Sequence, residues 1–251
     1  MLQLQLGMTN DITNMVEFIC DPGYPDSVKL LTSGNDGKVR IFNLEKEDYA
    51  EPEAIYENKE PINIAKFNAD HSLLAVYGDC YPAHLYDPRI GKIIDILFGH
   101  EDFGFALSWH PAGHHLATGN QDLTVKIWDM RKLGGGSAAA VGSSEGPTGS
   151  GACVNTIAMN TGASHGVEYA DSGRMLVVSE SIDFLHVFDA EEGLYDRRQE
   201  LDFFGSILGF TVIGERAESI FLGLADPELS CLVELEKAGM HFEDSISNVF
   251  L

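Results

Sequence analysis

The chain has 251 residues, of which 44% are hydrophobic, and its 39 acidic and 16 basic side chains give a formal net charge of −23. This balance argues against binding to the phosphate backbone of nucleic acids, which requires clustered lysine and arginine. No apolar run approaches the roughly 18 residues that a membrane-spanning helix needs, and residues 1–11 do not have the pattern of a secretory signal. We therefore expect a cytoplasmic or nuclear protein that binds neither membranes nor nucleic acid.

Short apolar strands recur along the chain at a regular interval. Five of them end on Phe42-Asn43, Tyr86-Asp87, Trp128-Asp129, Phe188-Asp189 and Val233-Glu234. The spacing between these pairs is 42 to 45 residues, apart from one interval of 60 residues. Turn sequences rich in Gly, Asp and Asn separate the strands at matching offsets. The agreement among these five segments predicts an all-β repeat protein.

The one long interval contains a segment of different composition, GGGSAAAVGSSEGPTGSG. Its Gly, Ser and Ala residues show no periodicity, which is typical of a flexible insertion. Removing about 18 residues restores the regular period, since repeats of this kind have a near-constant length. We assign the insertion to residues 133–152 and the repeats approximately to residues 9–46, 54–90, 97–132, 153–190 and 198–237.

The third repeat carries the most informative side chains. It includes the pair Gly99-His100, then Thr118, an Asp at a tight turn (Asp122), and Trp128. The stretch Thr124–Trp128 alternates polar and apolar residues, as a strand with one buried face does. The other repeats replace the Trp by Phe, Tyr or Val and lack the Gly-His pair.

This spacing resembles a WD40 repeat, the four-stranded blade of a β-propeller. The resemblance implies that the chain forms about five four-stranded blades. It also implies that His100, Thr118, Asp122 and Trp128 form a hydrogen-bonded chain through the third blade. Blades that lack this set are expected to depend more on apolar packing.

Most of the chain, from about residue 10 to residue 240, is also similar to a group of plant and fungal transducin/WD40-like proteins. The matching segments are DITNMVEF from Asp11, the third repeat, SIDFLHVFDAEEG, and QELDFFGSILG from Gln199. Other members of the group carry additional blade-like sequence before the point that matches Thr9. The resemblance therefore implies a partial, N-terminally truncated form of a seven-bladed ring.

Several motifs have a catalytic or metal-binding alternative. His100 and Asp122 have the residue types of a catalytic dyad, but a structural role in the blade is the stronger interpretation. His110, His114 and His115 resemble a metal cluster, yet they flank a hairpin turn, and a site would need further converging ligands. The four cysteines form no CxxC pair, and no nucleophile arrangement is readable. We predict no catalytic residues, no metal and no cofactor.

Trp128-Asp129-Met130-Arg131 suggests one specific partner. It resembles the WDxR box of propellers that act as substrate receptors of cullin-4-type ubiquitin ligases, and Tyr86-Asp87-Pro88-Arg89 is a looser version. In that family the Arg contacts acidic groups of the ligase adaptor, which suits a planar guanidinium. Arg131, Asp129 and Arg89 are thus candidate partner-binding residues. The alternative is that Arg131 pairs locally and closes the strand end.

The sequence predicts a non-enzymatic scaffold that binds other proteins, with the ubiquitin-ligase receptor as the alternative. A propeller enzyme is a third hypothesis and would require converging carboxylates or histidines. A reader of basic peptides is a fourth, since acidic residues gather in the stretches 45–53, 189–202 and 228–244. A solvated surface that favours solubility is the simpler interpretation of those stretches.

Overall fold

The computed structural model describes residues 11–21, 23–46, 51–133, 152–203, 205–225 and 230–237. This part of the chain is all-β, with nineteen strands and two 3-10 helices, Met130–Lys132 and Glu191–Gly193. The strands form five antiparallel sheets, which confirms the all-β propeller class that the repeats predict. Within the described residues, no helix is long and apolar enough to cross a membrane.

The described residues up to 104, with 131–133 and 152, form a first compact unit. It contains two four-stranded sheets in which each strand pairs with the next along the chain. The first sheet consists of β1 (Thr13–Asp21), β2 (Tyr24–Gly34), β3 (Lys38–Asn43) and β4 (Ala54–Glu57). The second consists of β5 (Ile62–Phe67), β6 (Leu74–Gly78), β7 (Ala83–Asp87) and β8 (Lys92–Leu97).

The described residues 105–130 and those from 153 onwards form a second compact unit. Its sheets have four, four and three strands within the described residues. The third sheet consists of β9 (Gly104–Trp109), β10 (His115–Asn120), β11 (Thr124–Asp129) and β12 (Cys153–Ala158). The fourth consists of β13 (Ser164–Tyr169), β14 (Met175–Glu180), β15 (Phe184–Asp189) and β16 (Asp196–Asp202), and the fifth of β17 (Ser206–Ile213), β18 (Ser219–Ala225) and β19 (Ser230–Glu236).

Position in the sheet explains the burial pattern of each strand. The middle strand β6 is buried at every residue, and β10 and β14 are buried at all but the first. These strands are covered on both faces, so they consist mainly of small and apolar residues without strict alternation, and polar residues such as Asn120 and Glu180 are buried in them as well. The outer strand β12 instead alternates partly buried and exposed residues, because only one of its faces packs on the protein.

Apolar clusters join neighbouring sheets within each unit. One cluster joins the first and second sheets and includes Leu31, Ile41, Ile62 and Val76. In the second unit, one cluster lies between the third and fourth sheets and another between the fourth and fifth. A single blade cannot bury both of its faces alone, so this face-to-face packing is the main source of its stability.

The sheets are offset from the sequence repeats by one strand. β4 lies in the repeat assigned to residues 54–90 but completes the first sheet, and β12 likewise completes the third sheet. Each such sheet therefore takes its last strand from the following repeat, which links consecutive repeats by hydrogen bonds. The predicted insertion connects β11 to β12, and its residues 134–151 lie outside the described part of the chain.

Candidate functional site

Four of the five strand-ending positions that the repeat predicts occupy one common register, as the second-to-last residues of β3, β7, β11 and β15. The fifth, Val233, lies in the middle of β19, where Leu235, opposite Ile220, has the equivalent place. Each of the five predicted residues lies opposite a leucine of the preceding strand. All five are buried, with an exposed fraction of 3% or less. The pairs are Leu30 with Phe42, Leu74 with Tyr86, Leu116 with Trp128, Leu176 with Phe188, and Leu222 with Val233.

The third sheet holds its Trp by a polar contact. The indole Nε1–H of Trp128 donates a hydrogen bond of 2.8 Å to Oγ1 of Thr118, and both side chains are fully buried. Asp122 lies in the turn between β10 and β11, where its Oδ1 accepts hydrogen bonds from the backbone N–H and the hydroxyl of Thr124 at 3.0 Å and 2.6 Å. The Asp therefore fixes the turn that leads into the Trp strand.

His100 belongs to the first compact unit, whereas Thr118, Asp122 and Trp128 belong to the second. The His side chain is buried, and its ring centroid lies 5.7 Å from that of Tyr77. A structural role for His100 fits this burial, because a buried imidazole requires hydrogen-bonding partners within the protein. The complete four-residue chain stays a prediction.

The two candidate arginines differ in their surroundings. Arg131 is exposed in the short helix Met130–Lys132, which follows the buried Asp129. Arg89 is 78% exposed at its side chain, and its Nε and Nη2 donate to both carboxylate oxygens of Asp87 at 3.0 Å and 2.6 Å. The hydrogen bond from Arg89 lowers the pKa of Asp87. Arg89 is therefore paired locally, with the Asp of its own motif.

A buried Glu–His pair in the fourth sheet was not predicted from the sequence. The carboxylate of Glu180 accepts backbone N–H bonds from Asn160 and Thr161, both at 2.8 Å, and from Gly162 at 2.5 Å. Nε2 of His186 approaches the same carboxylate at 2.7 Å, and both side chains are fully buried. The pair ties the β12–β13 connection to the middle of the sheet.

Burial alone would raise the pKa of Glu180, because desolvation disfavours the charged form. The three backbone hydrogen bonds and the contact with His186 outweigh that effect, so the pKa of Glu180 lies below its ordinary value. The side chain is therefore ionised at neutral pH and acts as a fixed acceptor. No sequence signal marks this pair, because its members become neighbours only through strand pairing.

The three clustered histidines lie close together without forming a metal site. The ring centroids of His110 and His114 are 4.2 Å apart, and those of His114 and His115 are 4.6 Å apart. Across the described residues, no group of three or more His, Cys, Asp or Glu side chains is arranged to hold a metal ion. Burial, and then the neighbouring His114 and His115, lower the pKa of His110 to about 4, so the ring is neutral at pH 7.

His115 instead continues into a buried hydrogen-bonded chain of hydroxyl groups. Its Nδ1 lies 3.0 Å from the hydroxyl of Tyr195, which lies 2.7 Å from the hydroxyl of Tyr169. Both tyrosines are buried, and burial raises the pKa of Tyr195 to about 12. These hydrogen bonds link the third sheet to the fourth and give His115 a structural role.

Two exposed aromatic rings lie side by side in the first unit. Tyr81, in the β6–β7 loop, is 54% exposed, and Phe103, just before β9, is 38% exposed. Their ring centroids are 6.4 Å apart. Antiparallel pairing brings the β6–β7 and β8–β9 connections to the same end of the second sheet, which explains why these loops meet.

The five antiparallel sheets define a protein of the β-propeller class. The sequence profile of the WD domain, G-beta repeat, matches residues 91–129, which comprise most of β8 and all of β9, β10 and β11. The chain therefore contains a WD40 repeat, as the spacing of the third repeat predicts.

Comparison with curated proteins gives several WD-repeat relatives. The chain is 24% identical over 121 residues to WD repeat-containing protein 1 of Mus musculus, a match that covers 45% of this chain and 20% of that protein. It is 29% identical over 109 residues to Periodic tryptophan protein 2 of Arabidopsis thaliana, and 28% identical over 128 residues to Striatin-4 of Mus musculus. Those two matches each cover 42% of this chain, and 12% and 16% of the relatives.

Proposed function

We propose that this chain is a non-enzymatic scaffold that binds other proteins through the exposed loops of its blades. WD-repeat proteins, to which it is similar, generally serve as interaction scaffolds. The observation that carries the proposal is the Tyr81–Phe103 pair, here called the aromatic patch. Exposed aromatic rings are enriched at protein interfaces, where they bury a large area for little loss of side-chain freedom.

The aromatic patch stands on an ordered support. The hydroxyl of Tyr77 donates to the carbonyl oxygen of Tyr81 at 3.5 Å, and the backbone N–H of Phe103 donates to Oδ1 of Asp102 at 2.9 Å. At Gly104 an added Cβ would lie 2.2 Å from the Tyr77 ring, so only a glycine allows this close approach. Loops that are already ordered lose less conformational entropy on binding.

Affinity purification from cells that express the tagged chain tests the proposal. The double variant Tyr81→Ala with Phe103→Ala should lose partners that the unaltered chain captures, while its thermal unfolding stays unchanged. Ile90→Ala is the matched control, because Ile90 is 59% exposed in the β7–β8 turn at the other end of the same sheet. If the double variant and the control capture the same partners equally well, the aromatic patch is not the binding surface. If the unaltered chain captures no protein at all, the scaffold function is rejected.

The cullin-4 receptor is the second candidate function. Exposure of Arg131, two residues after the repeat's buried Asp129, is the observation that favours it. If this function is correct, Arg131→Ala abolishes co-purification of the ligase adaptor. Arg89→Ala should have a smaller effect, because Tyr86-Asp87-Pro88-Arg89 is a looser version of the motif. A purification of the unaltered chain without any adaptor would exclude this function.

A basic peptide is less favoured as a partner, because the chain's own cations occupy carboxylates of the acidic stretches. Glu53 lies 3.4 Å from Nζ of Lys29 and 3.6 Å from Nζ of Lys46. In the stretch 189–202, Arg198 pairs with Asp189 at 2.6 Å. A basic ligand would have to displace these contacts, which weakens the net gain from binding.

A further inference from the structure

A cleft with basic walls lies between the fourth and fifth sheets, within the second unit. Its cavity volume is about 300 Å³. Its lining includes four basic and two acidic side chains, which gives a local charge of plus two in a chain of net charge −23. We call it the basic cleft, and its charged residues are Arg174, Arg198, Arg216, Lys237, Asp189 and Glu191.

The basic residues come from four places that the strand order brings together. Arg174 directly precedes β14, and Arg198 lies in the neighbouring part of β16. Arg216 lies in the β17–β18 connection, and Lys237 directly follows β19. All four therefore lie near the same ends of the two sheets, around one opening.

Two of these cations are already neutralised inside the cleft. Arg198 Nη2 lies 2.6 Å from Oδ2 of Asp189, and Arg174 Nε lies 3.6 Å from Oε1 of Glu191. Burial raises the pKa of Asp189, but the hydrogen bonds from Arg198 and the Glu191 N–H lower it by more, so this carboxyl is ionised. Within the described part of the chain, Arg216 and Lys237 form no ion pair closer than 4.0 Å, but both lie near enough to the Glu218 carboxylate to lower its pKa.

The remaining lining of the basic cleft is mainly apolar. Met175, Val187, Ala217 and Ile220 contribute to it. A ligand that fits must combine an anionic group with a small apolar group, since an apolar surface prefers an apolar neighbour. The volume lies at the small end for ligand pockets, enough for one or two side chains. A long polyanion is disfavoured, because the chain as a whole is strongly negative.

We propose that the basic cleft binds a short acidic segment of a partner protein. An anionic side chain, carboxylate or phosphorylated, pairs with Arg216 and Lys237, and an adjacent aliphatic side chain contacts the apolar lining. A guanidinium suits both anions, because it donates two parallel hydrogen bonds to either one. This inference rests on the proposed scaffold function and specifies the chemistry of one partner.

Fluorescence anisotropy with the full chain tests the inference. The probes are labelled peptides of equal length that alternate Leu with Asp, Leu with phosphoserine, Leu with Asn, or Ser with Asp. We expect the first two to bind and the last two to bind weakly or not at all. The tighter of the two acidic peptides identifies the anion that the cleft prefers.

The cleft variant is Arg216→Gln with Lys237→Gln, and its matched control is Lys59→Gln with Lys92→Gln. Both remove two positive charges, but Lys59 and Lys92 are exposed residues of the first unit. The cleft variant should weaken peptide binding at least about tenfold, the loss of one charge-assisted contact. The control should stay within about twofold at physiological salt, where distant charges are screened. Circular dichroism verifies that both variants are folded.

Four kinds of outcome would overturn the inference. One is equal weakening by both variants, which indicates general electrostatics. Another is that the Leu/Asn peptide or the Ser/Asp peptide binds as tightly as the Leu/Asp peptide. The first result would show that the anionic side chain does not contribute to binding, and the second that the aliphatic side chain does not. The third is dimerisation in light scattering that the cleft variant abolishes, which makes a second copy the occupant. If all peptides fail while partner capture still depends on Tyr81 and Phe103, the scaffold function stands and only this inference is rejected.

Discussion

The Trp128 indole shows how a single hydroxyl stabilises a blade from inside. Its N–H is fully buried and donates to Thr118 Oγ1 at 2.8 Å. Thr118→Val keeps the shape of the side chain but removes this acceptor. We expect the free energy of unfolding in urea to fall by about 1–3 kcal/mol, because a buried donor loses its partner.

The double variant Thr118→Val with Trp128→Phe is the control for that prediction. It removes the hydroxyl and the indole N–H together, so no unpaired donor remains. We expect its loss of stability to be smaller than the sum of the two single losses. Strict additivity would show that the hydrogen bond contributes nothing beyond packing.

Glu180 is the second residue whose charge state contributes to stability. Its pKa in the folded protein is below the ordinary value, so its ionised form stabilises the fold above the unfolded pKa. That contribution is lost as the pH falls through the folded pKa. Glu180→Gln should cost about 3 kcal/mol at pH 7, because it replaces the charged acceptor of several buried hydrogen bonds by a neutral amide.

Urea denaturation between pH 7 and pH 3 measures this effect. The difference between Glu180→Gln and the unaltered chain should shrink as the pH falls below the pKa of about 4.3 that a glutamate has in the unfolded chain, and towards the lower pKa of Glu180 in the folded protein. Glu57→Gln, which changes an exposed carboxylate that pairs with Lys38 in the first sheet, should cost less than about 1 kcal/mol. A difference that stays constant down to pH 3 would show that ionisation of Glu180 does not matter.

At the scale of the element, two equivalent hairpins allow the cost of backbone strain to be measured separately from the cost of a steric contact. Gly113, between β9 and β10, and Gly173, between β13 and β14, both have φ of +73°. An added Cβ at Gly113 meets nothing within 4 Å, whereas at Gly173 it lies 2.3 Å from Nε2 of His110. The two turns thus have the same conformation but different surroundings.

Alanine at each glycine tests this difference. Gly113→Ala should lower stability by about 1–2 kcal/mol, the cost of a left-handed conformation for a residue with a side chain. Gly173→Ala should cost about 1–3 kcal/mol more, because the His110 ring must move out of a packed position. Thermal unfolding of both variants measures the costs, and equal values would mean that His110 moves aside freely.

The strand-ending residues of the first four sheets show what the sequence alone could predict. Their spacing places Phe42, Tyr86 and Trp128 in one register, and the structure shows each of them opposite a leucine. Such positions are predictable because each strand needs an apolar residue at the same place to cover its neighbour.

Contacts between distant segments could not be predicted in this way. Glu180 and His186 have no fixed spacing that marks a polar pair, and the backbone N–H groups that donate to Glu180 lie in another connection. The basic cleft combines residues from two sheets, so its positive charge cannot be inferred from a sequence whose net charge is −23. Tyr81 and Phe103 likewise become neighbours only because two loops share one end of a sheet.

At the scale of the whole molecule, the charge of −23 should make stability depend on salt. Raising NaCl from 10 mM to 150 mM shortens the screening length from about 30 Å to about 8 Å. We expect the unfolding temperature to rise, because repulsion among carboxylates weakens in the compact state. Differential scanning fluorimetry measures this rise, and KCl and tetramethylammonium chloride should reproduce it. A rise with only one cation would indicate specific ion binding instead.

The connection between β11 and β12 joins two neighbouring strands of one sheet, and Trp128 lies opposite Cys153 across that pair. A cut in this connection would leave the ladder between the two strands in place. The protein should therefore tolerate division there, with residues 1–133 and 152–251 produced as separate polypeptides that reassemble. Such a split form would allow reporter fragments to be attached at new chain ends, away from both the aromatic patch and the basic cleft in the sequence.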